Sequence, residues 1–484
     1  MNVLFCAAEA APFIKVGGLA DVIGSLPNAL HGLGHDVRIM MPFYGTLRDR
    51  GIVGSPVGKP FSVTAAGENH EVQIYQTSLP PHDTPVYLIS WPGQFGGEAY
   101  DTKQSLADLR EGVRRFFLYS LAAAHAIEHL PWPVELLHCH DWHAGGIPAF
   151  RGALNLKKIP SVFSIHNLSV QGKWSPEEAL GWVGLEKINH PLLGVRDNSG
   201  NANMLLWGAM TADVVTTVSP QYAREVLTPE FGEGLDGFLR QRGVQGIVNG
   251  IDAEVFNPAT DRFIHTTYDA STVMAGKAEN KTTLQASLGL DVNEQDVLYT
   301  FIGRLTPQKG VDVFLGSLHE ILQRGHQLVV LASGEPAIEE RLQAAEKKYP
   351  GRFRAILKFD AAIGQQLYAG SDFLLMPSRF EPCGLGQLIA LRYGTIPIVH
   401  DTGGLHDTVI DLRGNPAHGN GYVYAPNTPE NLLACCLAAQ ELLSDPARRW
   451  AVVQRSMATD YSWYTSAQKY AALYTSLLQP HHQA

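Results

Sequence analysis

The sequence has 484 residues, more than one hydrophobic core usually supports, so two or three domains are expected. Its 45% hydrophobic and 17% charged residues are typical of a folded chain, and its formal net charge of -10 excludes a general attraction to nucleic acid or acidic membranes. The five cysteines lack paired spacings, the chain starts without a basic leader, and no apolar run approaches the roughly 20 residues of a membrane span. These three features predict a cytoplasmic protein.

Short apolar runs alternate with longer helical patterns along the chain, which is typical of parallel sheets covered by helices. In the first half, strands are predicted at residues 3–8, 37–41, 86–90, 136–139, 161–165 and 214–218. In the second half, strands are predicted at residues 298–302, 327–331, 354–359, 373–376 and 396–399, and helices at 311–324 and 337–348. The fold class is therefore α/β, with two facing, doubly wound, Rossmann-like domains and an active-site cleft between them.

A turn-rich segment separates the two series of strands. It contains Val-Asn-Gly-Ile-Asp at 248–252 and Asn-Pro at 257–258, a composition typical of a hinge. The predicted domains are therefore residues 1–244 and residues 245–460. Residues 461–484 include an amphipathic stretch that we expect to pack back on the first domain.

A glycine-containing turn, Lys-Val-Gly-Gly-Leu-Ala-Asp at residues 15–21, follows the first strand and opens a predicted helix. Glycine lets the backbone approach a phosphate, the helix start offers N–H groups, and Lys15 adds a positive charge. The alternative is a flexible turn with a solvated lysine. Because the spacing is not Gly-x-Gly-x-x-Gly, a nicotinamide dehydrogenase is disfavoured.

Histidines and an aspartate end two later strands of the first half, in His-Cys-His-Asp-Trp-His at 138–143 and Ser-Ile-His-Asn at 164–167. Four histidines would suit a metal, but they lack the His-x-x-x-His register and a nearby carboxylate trio. We therefore predict neither a metal nor a cofactor. Asp141 beside Trp142, with His166 on the neighbouring strand, instead suits a pyranose ring.

Two cations follow the first strand of the second half, in Gly-Arg-Leu-Thr-Pro-Gln-Lys-Gly at 303–310. Arg304 can bind phosphate oxygens as a fork and Lys309 as a point charge, so the pair suits a diphosphate. The alternative is two exposed surface cations, which contribute little to stability. Because no Asp-x-Asp occurs to hold a divalent ion, the protein's own cations must neutralise a leaving group.

A carboxylate and glycines follow a later strand, in Pro-Ser-Arg-Phe-Glu-Pro-Cys-Gly-Leu-Gly at 377–386. Glu381 is placed to bind sugar hydroxyls, and the N–H groups after it can face a phosphate. Cys383 suits either direct contact or a small buried apolar position. Thr-Gly-Gly-Leu at 402–405 repeats the glycine pattern one strand later.

These groups, in this order, resemble the bacterial glycogen synthases and plant starch synthases over nearly the whole chain. The resemblance extends to Thr-Val-Ser-Pro at 217–220, Thr-Pro-Glu-Phe-Gly-Glu-Gly-Leu-Asp-Gly at 228–237, Gly-Lys-Ala-Glu-Asn-Lys at 276–281 and Tyr-Ser-Trp at 461–463. It implies a GT-B fold and a retaining hexosyltransferase of glycogen biosynthesis. The implied partners are ADP-glucose, as the donor substrate, and the non-reducing end of an α-1,4-glucan or maltooligosaccharide.

The resemblance also implies roles for individual residues. The implied catalytic residues are Lys15, His166, Arg304, Lys309 and Glu381. The implied donor-binding residues are Gly18, Asn249, Phe359, Cys383, Gly384, Leu385, Thr402 and Gly403. The implied residues of the glucose and acceptor cleft are Asp21, Asp141 and Trp142. Phe359 falls where the family often has an aromatic against the adenine.

Three departures from the family leave acceptor and ribose contacts open. Residues 94–100 replace a Phe/Tyr-Asp-Arg segment, Ser169 and Val170 replace Ala-Tyr, and Ile389 stands where many retaining transferases have a second Glu. The alternatives are a UDP-glucose-dependent transferase with a small acceptor, similar to sucrose synthase, and a non-catalytic glucan-binding protein. Front-face attack and a covalent intermediate both stay open as routes to retention.

Overall fold

The computed structural model describes residues 1–100 and 105–479, which form two compact units. The first unit holds Met1–Asn249 and the chain from Trp463 onward, and the second holds Gly250–Ser462. Of the predicted carboxy-terminal segment, residues 480–484 lie outside the described residues.

A sheet of nine strands forms the centre of the first unit. The strands of this unit are β1 (Asn2–Cys6), β2 (Asp36–Pro42), β3 (Ser55–Ala65), β4 (Glu68–Leu79), β5 (Thr84–Ser90), β6 (Leu136–His140), β7 (Ser161–Ile165), β8 (Lys173–Trp174), β9 (Ala202–Asn203), β10 (Val214–Thr217) and β11 (Gln245–Gly246). The sheet order is β11-β10-β7-β6-β1-β2-β5-β4-β3, and β8 pairs separately with β9. All neighbours in the large sheet run parallel except β3–β4 and β4–β5. The chain order reverses between β1 and β6, which makes the carboxyl ends of these strands the expected ligand site.

Helices cover this sheet. The helices of the first unit before residue 250 are α1 (Gly18–His31), α2 (Gly45–Asp49), α3 (Leu106–Ala126), α4 (Asp141–Ala153), α5 (Pro176–Trp182), α6 (Met204–Thr211), α7 (Pro220–Glu225) and α8 (Asp236–Arg242). Apolar residues recur every three or four positions in α1, and Leu19, Ile23, Leu26 and Leu30 are buried, so this face packs on the sheet.

Strands β3 and β4 are absent from the sequence prediction. They form an antiparallel hairpin in which inward residues such as Phe61 and Val63 alternate with exposed ones. The register shifts between Val57 and Phe61, around Gly58 and Pro60. Because glycine and proline interrupt strand patterns, this segment lacks a continuous apolar signal.

The second unit contains a six-stranded sheet. Its strands are β12 (Leu298–Leu305), β13 (Gln327–Gly334), β14 (Phe353–Ile356), β15 (Phe373–Met376), β16 (Ile396–His400) and β17 (Tyr422–Tyr424). The order is β14-β13-β12-β15-β16-β17, and every pair is parallel. This is the Rossmann strand order, with the reversal between β12 and β15. The prediction of two α/β domains with parallel, doubly wound sheets is therefore confirmed, and the cleft between them stays a prediction.

The remaining helices complete both units. They are α9 (Val273–Leu288), α10 (Val311–Gln323), α11 (Pro336–Lys348), α12 (Ala361–Gly370), α13 (Gly386–Arg392), α14 (Gly403–Thr408), α15 (Pro429–Leu443), α16 (Pro446–Ala458) and α17 (Trp463–Leu478). Short 3₁₀ turns occupy Ile127–His129, Pro191–Gly194 and Pro307–Lys309. Helix α17 belongs to the first unit, where the hydroxyl of Tyr474 lies 2.7 Å from His138 Nδ1. Within residues 1–100 and 105–479, no helix has both the length and the apolar character to cross a bilayer.

The predicted strand at 354–359 is wrong at its end. Strand β14 stops at Ile356, because Asp360 caps α12 by accepting a hydrogen bond from the Ile363 N–H at 3.1 Å. Phe359 therefore lies outside the sheet and is 80% exposed.

Candidate active site

The predicted site residues of the second unit lie mainly on loops that follow β12, β15 and β16. We call this group, residues 304–310, 377–385 and 401–403, the β12/β15 edge. Gly310 joins two of these loops: its φ is +64°, and a Cβ there would lie 1.8 Å from the Pro377 carbonyl oxygen. The Arg379 N–H also donates to the Gln308 carbonyl at 2.8 Å. Only glycine permits this approach, so the first loop is held against the second.

Lys309 and Glu381 form an ion pair at this edge. Lys309 Nζ lies 2.5 Å from Glu381 Oε2, and the Ser378 hydroxyl donates to the same oxygen at 2.9 Å. The Glu381 side chain is 7% exposed and that of Lys309 is 21% exposed. Lys309 is therefore not the free surface cation that the sequence alternative described, and the two predicted catalytic residues share one hydrogen-bond cluster.

The two arginines of this edge differ in what they bind. Arg304 is exposed at the end of β12, and it makes no ion pair with any residue in 1–100 or 105–479. Arg379 instead donates to both carboxylate oxygens of Asp312, at 2.7 and 2.6 Å. Arg304 thus keeps its guanidinium available for an anion, whereas Arg379 fastens its loop to α10.

A buried polar atom lies on the loop after β16, and the helix that follows this loop is hydrogen-bonded to the Glu381 backbone. Thr402 is 2% exposed and caps α14, and its Oγ1 has no hydrogen-bond partner within the described ranges. The Gly404 N–H donates to the Glu381 carbonyl at 2.9 Å, and a Cβ on Gly404 would lie 2.0 Å from the Cys383 carbonyl oxygen. Cys383 is 4% exposed, which fits the small buried position. An orphan hydroxyl beside tightly packed glycines is suited to a polar ligand.

The remaining donor predictions fall in different surroundings. Gly384 adopts φ +74° and is followed by Leu385, the N-cap residue of α13, while Gly403 begins α14. Phe359 follows β14, which β13 separates from β12 in the same parallel sheet, and its contact with an adenine stays a prediction. Asn249 ends the main part of the first unit; it is 7% exposed, and its Oδ1 has no partner among the described residues.

The predicted site residues of the first unit lie after β1, β6 and β7, and we call residues 9–21, 138–143 and 166–167 the β1/β6 edge. Lys15 is exposed, and its Nζ lies 2.6 Å from Asp21 Oδ1. Gly18 is the first residue of α1, where the leading N–H groups lack intrahelical partners. The lysine predicted to bind phosphate is thus paired with a predicted cleft residue.

Asp141 is held in an unusual conformation at the start of α4. Its φ is +55°, in the left-handed region that few non-glycine residues adopt, and it is 6% exposed. Its Oδ1 accepts hydrogen bonds from the N–H groups of His166 at 2.8 Å and Asn167 at 3.4 Å. Burial nevertheless raises the pKa of Asp141 to about 7. Strain of this kind is characteristic of functional sites.

Four buried histidines lie in the β1/β6 edge, and burial lowers the pKa of each. His140 Nδ1 lies 3.0 Å from His166 Nε2, and both ring nitrogens of His138 have hydroxyl partners. The pKa falls to about 3 for His143 and His166, and well below its usual value for His138 and His140. These rings are therefore neutral at pH 7. In the part of the chain that the structure describes, no group of three or more His, Cys, Asp or Glu side chains could hold a metal ion.

Trp142 is more enclosed than a sugar-stacking ring requires. It is 7% exposed, with its ring centroid 4.1 Å from that of His143 and 5.0 Å from that of Phe116. Gly172 lies against its other side, where a Cβ would come within 2.0 Å of the indole. The indole is therefore packed between protein groups, and its contact with a sugar stays a prediction.

Sequence reasoning missed Glu9. Its Oε2 accepts from the N–H groups of Val16 at 2.8 Å and Gly17 at 3.0 Å, and its Oε1 accepts from the Tyr100 hydroxyl at 2.7 Å. These two amides, which precede α1, are therefore occupied by a protein carboxylate. The sequence feature that could have pointed to Glu9 is a single acidic residue among four alanines, directly after a buried strand.

The comparisons with known proteins agree across the chain. A family model for the starch synthase catalytic domain matches residues 2–241, and one for glycosyl transferases of group 1 matches residues 269–455. A glycogen synthase from Gloeobacter violaceus is 40% identical over 99% of both chains. Glycogen synthase 1 from Synechocystis is 38% identical, over 99% of this chain and 95% of its own.

Two solved structures are similar in fold. The catalytic domain of starch synthase IV from Arabidopsis thaliana, bound to ADP and acarbose, has a TM-score of 0.88 and 32% identity, covering 98% of this chain and 99% of its own. A sucrose-phosphate synthase from Thermosynechococcus elongatus has a TM-score of 0.58 and 17% identity, covering 98% of both chains, a likeness that extends to the fold alone.

Proposed function

The chain belongs to the glycogen synthase family, and we propose that it transfers glucose from ADP-glucose to the non-reducing end of an α-1,4-glucan. It is a hexosyltransferase with a GT-B type fold. The ADP and acarbose bound to the Arabidopsis relative support an adenosine diphosphate donor and a carbohydrate acceptor. We also propose a cytoplasmic location, which is supported by five buried cysteines that are all free thiols.

The β12/β15 edge carries the donor part of this proposal. An exposed, unpaired guanidinium on Arg304 and the ammonium of Lys309 lie at the strand-order reversal, where a Rossmann sheet binds its ligand. Glu381 holds Lys309 from one side through a single carboxylate oxygen. A nucleotide sugar offers phosphate oxygens to the cations and hydroxyls to the carboxylate, so both chemistries of this cluster have a partner.

In the proposed mechanism, leaving-group stabilisation supplies much of the catalysis. As the bond from glucose C1 to the diphosphate oxygen breaks, Arg304 and Lys309 neutralise the developing charge, with Lys15 as a further cation for the donor. The acceptor hydroxyl attacks C1, and a diphosphate oxygen takes its proton. The backbone around His166, which Asp141 accepts from, stabilises positive charge on the sugar. The absence of Asp-x-Asp from the sequence supports transfer without a metal.

Donor and acceptor assays test this proposal together. The purified chain is supplied with ADP-glucose or UDP-glucose, and each donor is paired with glycogen or a short maltooligosaccharide. We expect transfer from ADP-glucose to a glucan to be fastest, with chain elongation and retained α-configuration detected by NMR. Equal or faster transfer from UDP-glucose to a small acceptor would favour the alternative transferase, and no transfer from either donor would favour a glucan-binding protein.

A further inference from the structure

Glu9 is a buried carboxylate with three hydrogen-bond partners, of which Val16 and Gly17 lie in the β1/β6 edge and Tyr100 lies outside it. The residue is 5% exposed and lies three positions after the end of β1. Burying a carboxylate is costly unless hydrogen bonds replace its water, and bonds to a charged acceptor are the strong ones. Two N–H groups and one hydroxyl supply them here. The carboxylate is therefore stable only while the Val16–Gly17 backbone stays in this position.

The loop that Glu9 holds carries the first cation of the proposed donor site. Lys15 directly precedes the two bound amides, and Gly18 directly follows them and begins α1. Turning Val16 or Gly17 would move both the Lys15 side chain and the free amides of the first helical turn. Glycine at 17 and 18 offers little resistance, because neither position has an atom within 4 Å of a potential Cβ. Glu9 is thus a fixed anchor for a backbone segment that is otherwise easy to turn.

The same carboxylate reaches a second segment. The Tyr100 hydroxyl donates to Glu9 Oε1 and lies 3.1 Å from His143 Nε2. Tyr100 ends the segment 94–100, which departs from the family pattern, and His143 lies in the first turn of α4. Glu9 therefore connects the loop before α1 to Tyr100 and, through it, to the residues around Asp141.

We propose that Glu9 is a positioning residue for glucosyl transfer, which holds the Val16 and Gly17 amides so that Lys15 and the start of α1 meet the donor diphosphate. This inference rests on the proposed function, since the donor contact of Lys15 is part of it. Glu9 acts through the loop and does not itself contact the donor, so its loss weakens donor binding more than acceptor binding.

The test compares Glu9→Ala and Glu9→Gln with Asp213→Asn as a matched control. Asp213 Oδ2 accepts from the Ser161 N–H at 2.8 Å, a similar carboxylate–amide bond at the amino ends of β7 and β10, on the opposite edge of the same sheet. Asp213→Asn replaces a carboxylate by an amide that keeps one oxygen acceptor, as Glu9→Gln does, without touching the β1/β6 edge. The measurements are hydrogen exchange of a peptide containing Val16 and Gly17, and KM for ADP-glucose and for glucan in the full chain.

We expect Glu9→Ala to speed exchange at Val16 and Gly17 and to raise the ADP-glucose KM by roughly 10-fold or more, with glucan KM within twofold. Glu9→Gln keeps one side-chain oxygen that can accept from a backbone N–H, so it should raise the ADP-glucose KM only severalfold. Asp213→Asn should change neither quantity. Unchanged exchange in Glu9→Ala, or faster exchange with a wild-type donor KM, would overturn the inference.

If Glu9→Ala does not fold, the Glu9→Gln variant decides: a donor KM equal to wild type would overturn the inference, and a severalfold rise would support it. Failure of the proposed function gives a different result. In that case the wild-type chain shows no transfer from ADP-glucose at all, while the exchange measurement still reports whether Glu9 holds the loop.

Discussion

Arg304→Ala and Lys309→Ala remove neighbouring cations with different structural surroundings, and their effects should separate. Both should lower kcat on the order of 10²–10³, because each cation stabilises charge that grows on the leaving diphosphate. Arg304 is exposed and has no ion pair with a described residue, so Arg304→Ala should leave the melting temperature unchanged. Lys309→Ala strands the Glu381 carboxylate, whose side chain is 7% exposed.

The stability cost of Lys309→Ala follows from that exposure. Breaking a buried ion pair costs about 3–5 kcal/mol and breaking a surface pair about 0–1 kcal/mol. Lys309 is 21% exposed in its side chain, and Ser378 still donates to Glu381, so an intermediate cost of about 1–3 kcal/mol is expected. In a unit of about 200 residues this lowers the melting temperature by about 2–12 °C.

The assay is initial-rate kinetics beside a thermal melt, with Arg354→Ala as the control. Arg354, on β14, forms an ion pair with Glu346 at 2.6 Å, and both side chains are partly exposed. Arg354→Ala should therefore keep its activity, and its melting temperature should barely change. The double variant Lys309→Ala/Glu381→Gln should recover part of the lost stability but no activity. A wild-type melt for Lys309→Ala, a collapsed melt for Arg304→Ala, or a near-normal kcat in either variant would refute the reasoning.

Three further perturbations have definite expected results. Burial raises the pKa of Asp141 in the folded chain to about 7 from 3.8, so between about pH 4 and 7 this carboxyl ionises mainly in the unfolded chain, and the free energy of unfolding falls as pH rises through this range. Urea melts should show a smaller fall for Asp141→Asn than for wild type. An equal fall would contradict this prediction. Gly310→Ala should cost about 3 kcal/mol or more by strain and overlap with the Pro377 carbonyl, whereas Gly414→Ala, with open space around it, should melt like wild type. Activity should persist in EDTA, and a complete loss that magnesium reverses would show that a metal shares the leaving group's charge.

The central strands and their functional ends were predictable from sequence because their signals are local. Strands β1 and β15 are buried and read as mostly apolar runs, and β6 and β12 each begin with such a run. Glycine, proline or charged residues lie at or soon after the end of each strand. Parallel strands in a doubly wound sheet place those ends together, which located both edges without any knowledge of the contacts. The β3–β4 hairpin lacked such a signal because half of its residues face solvent.

The contacts within each edge were not predictable, because their partners are distant in sequence. Lys309 and Glu381 are 72 residues apart, and Glu9 and Tyr100 are 91 residues apart. Spacing shows that a lysine follows one strand and a glutamate another, but not that their side chains meet. The conformation of Asp141 is likewise set by two amides that lie 25 and 26 residues further along the chain.

Pairing of both predicted phosphate-binding lysines with carboxylates bears on ligand selection. Lys15 lies 2.6 Å from Asp21, and Lys309 lies 2.5 Å from Glu381, so each lysine's charge is largely cancelled before a ligand arrives. A simple anion gains little at such a pair, because it approaches a carboxylate together with the ammonium. A nucleotide sugar can instead supply hydroxyl donors to the carboxylate and phosphate oxygens to the ammonium. Among the described cations of the two edges, Arg304 alone offers uncompensated charge, so we expect capture of the proposed diphosphate to depend chiefly on it.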